Sequence, residues 1–110
     1  MINELIDQRR LKLMFAIVSG EYVDDIRTHL HNNRDLTCSV WAVQMVWLYI
    51  IYAVSNDLLY RYPQAEICRA FGIGGSIVSH VFTLLQELGH LSNYGKGPYN
   101  ITLYKLEIAE

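Results

Sequence analysis

Cysteine is scarce in this chain of 110 residues, an excess of charge of either sign is missing, and no apolar run is long enough to cross a bilayer. Cys38 and Cys68 are the only two cysteines. A small fold stapled by disulfides is therefore excluded, because such chains carry dense, even-numbered cysteines. No C-x-x-C spacing exists for zinc. Both thiols sit in apolar stretches and read as small hydrophobes. A disulfide between copies, or a thiol sensor, is the alternative that a mass under non-reducing conditions decides. Nine Lys and Arg against 11 Asp and Glu leave a net charge of −2. That excludes a nucleic-acid binder working by bulk positive charge, and a polybasic membrane anchor.

The most apolar run, Val40 to Val54, is 15 residues long and contains Gln44. A bilayer span needs about 20 apolar residues. No basic cluster flanks the run and no signal-peptide core follows the mixed-charge N-terminus, so a cytoplasmic protein without a membrane segment is expected. The run reads as a helix buried over most of its surface, in the core or in an interface between copies. G-x-S-x-G, the P-loop and H-E-x-x-H are all missing. Gly72-x-Gly74 lacks a preceding strand, so it is not a dinucleotide fingerprint. His29 and His31 stand near Asp24, Asp25 and Asp35, but their i to i+2 spacing puts them on different helix faces, so no metal site is expected. Neither an enzyme nor a cofactor is indicated.

What is present is enough apolar material, 52% of residues at a mean hydropathy of +0.14, for one packed core. The spacing predicts a helix over Ile2 to Val18, stopped by Ser19-Gly20. Its apolar face is Ile2, Leu5, Ile6, Leu13 and Ile17, widened by Leu11, Met14, Phe15 and Val18. A short helix over Tyr22 to Leu30 and a polar loop over His31 to Asp35 follow. A long helix, capped by Thr37 or Ser39, runs to about Tyr60. Tyr62-Pro63 breaks it. Trp41, Trp47, Tyr49 and Tyr52 fall at helical spacing and suit burial rather than stacking on bases.

Beyond Pro63 a short helix runs to Phe71, with Ile67, Ala70 and Phe71 inward. Gly72 to Gly75 form a tight turn, and Gly72 fits a site of positive φ. A further helix follows from Ser76, its N-cap, to Leu88. Ile77 or Val78, Phe82, Leu85 and Leu88 make its buried face. Gly89 ends it. Leu91 opens an extended segment, Asn93 to Pro98 carry turn chemistry, and Asn100 to Ile108 alternate like a strand, with Ile101, Leu103, Leu106 and Ile108 set against Thr102, Tyr104 and Lys105.

Two helices joined by a glycine turn and followed by a hairpin form a helix-turn-helix with a wing. The stretches Pro63 to Ile73 and Ser79 to Leu91 resemble the winged helix-turn-helix superfamily, in particular small bacterial, plasmid and phage transcriptional regulators. Tyr104-Lys105-Leu106 resembles the second strand of the wing. The resemblance implies a mainly α fold with a small β-hairpin. An N-terminal helical extension for dimerisation (residues 1–36) precedes a winged helix domain (residues 37–110). It also implies a homodimer on double-stranded DNA, regulating transcription. The implied DNA-binding residues are Gly75, Ser76, Ser79, His80 and Thr83 on the third helix of the unit and Tyr94, Lys96 and Tyr99 on the wing. The family usually has a basic residue where His80 stands. The segment from Arg61 to Glu110 has four basic and four acidic residues, so binding should need a dimer and fade with salt. Two other readings stand beside this one. Ser79, His80 and Thr83 are the solvated side of an amphipathic helix, or Ser79, His80, Val81, Thr83 and Leu84 form a docking face for a protein partner.

Overall fold

A computed structural model describes residues 7–108. Five helices and a small sheet follow one another as α1 (Gln8–Val18), α2 (Val23–Asn32), α3 (Val40–Ala53), β1 (Leu59–Tyr60), α4 (Gln64–Phe71), α5 (Gly75–Glu87), β2 (Leu91–Lys96) and β3 (Thr102–Leu106). The chain is mainly helical with a small antiparallel sheet, as expected at that coarser level. The sheet has three strands rather than two, in the order β1-β3-β2. The part of the first expected helix before Asp7, with Ile2, Leu5 and Ile6, lies outside the described residues.

Helix α1 starts where Asp7 Oδ1 accepts the Arg10 backbone N–H at 2.9 Å. That amide, then the Arg10 and Arg9 charges, hold the Asp7 carboxyl below its usual range. Its buried face consists of Arg10 and Ile17. The Arg10 guanidinium, 1% exposed, donates from Nη1 to the Val54 carbonyl at 2.6 Å, and Gln44 Nε2 donates to the Ile17 carbonyl at 3.1 Å. The start of α1 thus meets the end of α3, and its end meets the first half of α3. The two helices run antiparallel.

Ser39, not Thr37, caps α3, accepting the Ala42 amide at 3.0 Å. The helix ends at Ala53 rather than near Tyr60. Ser55-Asn56-Asp57 form a turn, Leu58 takes φ +63, and Asp57 Oδ1 accepts the Leu59 amide at 3.1 Å. A left-handed residue cannot continue a right-handed helix. Leu59 and Tyr60 instead pair with Lys105 and Tyr104 of β3. Trp47 is buried and Tyr49 half-buried, whereas Trp41 and Tyr52 face solvent, against the expectation of burial.

Helix α4 ends at Gly72, whose φ of +65 and ψ of +35 are conformations a side chain would resist. Ile67 is buried and Phe71 packs on the core, but Ala70 is exposed. A turn of 118° leads into α5. Helix α5 is the centre of the molecule, packed against α3, α4 and β2. It buries Val78, Phe82 and Leu85 as expected, and Val81 and Leu84 as well. Those two are core residues, not part of a docking face. With packing on several sides, α5 buries a wider stripe than its 3.6-residue period alone indicates.

Gly89, at φ +85, turns the chain into β2. Strand β2 bulges at Tyr94, between the pairs Asn93–Tyr104 and Gly95–Leu103. In β3 the inward residues are Tyr104, 4.8 Å from the Phe82 ring, and buried Leu106. Leu103 lies on the other face over Gly97, where a Cβ would come within 2.8 Å of it. The alternation is real within β3, but Tyr104 and Leu106 take the inward face, and Leu103 lies on the side opposite the Phe82 contact. One core joins Ile17 and Ile26 from the first two helices to Val43, Trp47, Phe82 and Leu106.

Candidate nucleic-acid interface

The first turn of α5 is open. Its N-cap is Gly74, not Ser76, and no side chain satisfies the first amides. Gly75, Ser76 and Ser79 are exposed, while His80 and Thr83 are half-buried. A 13-residue helix presents the positive end of its dipole here, together with amides that a phosphate oxygen can accept from.

His80 and Thr83 are more committed than the helical pattern suggests. His80 Nδ1 accepts the Thr37 backbone N–H at 3.0 Å and lies 3.0 Å from Thr37 Oγ1. An Nδ1 that accepts places the neutral ring's proton on Nε2, so His80 offers one outward donor rather than two. The same contact ties α5 to the loop before α3. Thr83 donates its hydroxyl to the Ser79 carbonyl at 3.1 Å, one turn back on its own helix. The hydroxyls free to meet a ligand are therefore those of Ser76 and Ser79.

The hairpin gathers a second group. Tyr94 is exposed at the bulge, with Lys105 Nζ 5.9 Å from its ring centroid. Lys96 Nζ donates to Thr102 Oγ1 at 2.9 Å. Tyr99 is 94% exposed and takes φ +59, and Asn100 beside it takes φ +60. Tyrosine in the left-handed region is uncommon and costs on the order of 1–3 kcal/mol. Asn100 was not among the expected site residues. Its tolerance of this conformation was the available signal. The Phe82–Tyr104 contact joins the hairpin to the flank of α5.

Cations near these groups are mostly engaged. Arg61 pairs with Asp57, and Arg69 pairs with Glu66 at 3.2 Å. His29 Nε2 meets Glu87 Oε1 at 2.6 Å. Among the described residues no group of three or more His, Cys, Asp or Glu could hold a metal ion. Cys38 and Cys68 are free and half-buried, and burial pushes the Cys38 thiol up. No single helix among the described residues is long and apolar enough to cross a membrane. Compared with protein-family models, with curated proteins and with solved structures, the chain matches none.

Proposed function

We propose that this protein is a winged helix-turn-helix regulator of transcription that binds double-stranded DNA as a homodimer. The observation that carries the reading is topological. The order α3, β1, α4, α5, β2, hairpin, β3, with β3 between β1 and β2, is the arrangement a winged helix requires. In that arrangement α5 enters the major groove from its open N-terminal turn. Gly75 lets the backbone approach a phosphate, Ser76 and Ser79 offer hydroxyls, and His80 offers its Nε2 proton. Lys96 and Tyr99 on the hairpin meet the adjacent backbone or minor groove.

Few unpaired cations support the site, so each copy binds weakly and two copies together supply the phosphate contacts. Fluorescence anisotropy with a duplex from the protein's own upstream region tests this. Binding should fall steeply as salt rises. Ser79→Glu, which sets a negative charge on the exposed face, should abolish binding, and Lys96→Ala should weaken it and flatten the salt slope. Binding unaltered by both substitutions would remove these residues from the site.

A second reading is favoured by one observation: Arg61 to Glu110 has no net charge. The same unit would then dock a protein through Ser76, Ser79 and the hairpin, without Val81 and Leu84. A stoichiometric protein partner recovered after nuclease treatment, with no duplex binding, would select it.

A further inference from the structure

We infer that two copies of this chain associate through one continuous apolar face built from α1 and α3. The inference names the surface behind the dimer in the proposed function, and it holds whether or not the dimer binds DNA. On α1, Leu11, Phe15 and Val18 recur at i, i+4 and i+7 and are 37%, 67% and 69% exposed. On α3, Trp41 and Tyr52 stand three turns apart on one face, 56% and 69% exposed.

Both rows lie on the same side of the molecule. Leu13, on the opposite flank of α1, lines a cavity with Tyr22 and His90, and Trp47 of α3 stacks on that same His90. The exposed rows are the flanks turned away from it. Because α1 and α3 run antiparallel, a second copy placed on this face completes a bundle of four helices.

Area and charge select a second copy as the occupant. The five residues leave on the order of 600 Å² in water, most of it apolar, the upper end for a monomer's largest patch and most of the ~800 Å² that each partner of a standard interface buries. A two-fold interface sets a patch against itself, so any charge in it opposes its own kind. Helix α3 has no charged residue from Val40 to Ala53. Gln8 and Lys12 flank the α1 row as a polar rim.

Sedimentation equilibrium of the full chain tests the inference. The wild type should weigh twice 12.7 kDa. Phe15→Glu and Tyr52→Glu each place a charge in the face without touching the core. Each should raise the dimer dissociation constant by about a hundredfold or more, with the helical circular dichroism retained. Arg27→Glu, on the exposed side of α2, should leave the dimer intact. Val18→Ser replaces Phe15→Glu if that variant loses its helical signal. A wild type that stays monomeric at every concentration overturns the inference, as does a dimer that survives both charged substitutions. A monomer that cosediments with lipid vesicles overturns it in favour of a membrane surface. Duplex binding by a monomeric wild type would sink this interface and the homodimer while leaving the DNA site on α5 and the hairpin in place, and a dimer that binds no duplex would do the reverse.

Discussion

His90 lies stacked on Trp47, ring centroids 4.3 Å apart and planes 29° from parallel, with Tyr22 edge-on to both. Burial pushes the imidazole pKa down, and Asp25 offsets only part of that. The depressed value means the unfolded chain takes up a proton more readily than the folded one. Stability from His90 is therefore full above its unfolded pKa of about 6.5 and falls as pH drops through that value toward the folded one. Urea unfolding across this window should show less of that loss in His90→Phe than in the wild type. Equal pH dependence in the two would show that the stacked ring is not responsible.

Arg10 and Val54 tie the start of α1 to the end of α3 across 44 residues of sequence. Arg10→Met keeps the apolar stem but leaves the Val54 carbonyl without that donor. A charged hydrogen bond of this kind is worth about 1.5–3 kcal/mol, so the variant should unfold at lower denaturant with an unchanged slope. A loss under about 0.5 kcal/mol would place Arg10 among ordinary surface residues.

Tyr60 is fully buried, and its hydroxyl has no hydrogen-bond partner among the described residues. Burial pushes its pKa far upward, with a smaller push from the charges of Tyr49 and Glu66. Tyr60→Phe removes an unsatisfied polar atom and keeps the ring against Tyr62 and Phe82. The variant should match or exceed the wild type by up to about 1 kcal/mol in thermal unfolding. A marked loss would reveal a partner for the hydroxyl.

Tyr99 spends conformational energy at the hairpin tip while burying almost nothing. Tyr99→Gly should stabilise the fold by about 1 kcal/mol, since glycine takes positive φ freely. In the proposed function it should also weaken duplex binding. A variant that gains stability with undiminished binding would remove the ring from the interface.

Much of the helical order was legible in the residues. Ser39, Pro63, Gly72 and Gly89 mark boundaries through capping and φ preferences that act within a few residues, so they can be read locally. Strand β1 could not be read that way. Two residues carry no alternation, and Leu59 and Tyr60 become a strand only because β3 offers them an edge. The end of α3 was misjudged for a related reason. Ser55-Asn56-Asp57 has turn chemistry, but the apolar residues beyond it continue a helical pattern that Leu58 breaks.

The candidate site divides along the same line. The small residues Gly75, Ser76 and Ser79 were identifiable as an outward face from helical period alone. That Thr37 claims one nitrogen of His80, or that Thr83 bonds back to Ser79, depends on distances the spacing does not contain.

By itself, the sequence determined the local terms: where most helices start and stop, which residues are apolar enough for a core, and that the chain has no large excess of charge of either sign. The tertiary structure alone decided which apolar residues that core takes in. Burial depends on which sides of an element its neighbours occupy. Helix α5, packed by α3, α4 and β2, hides Val81 and Leu84, whereas α3, packed by α1, α2 and α5, still leaves the side of Trp41 and Tyr52 in water, and α1, packed on α3, leaves Phe15 there.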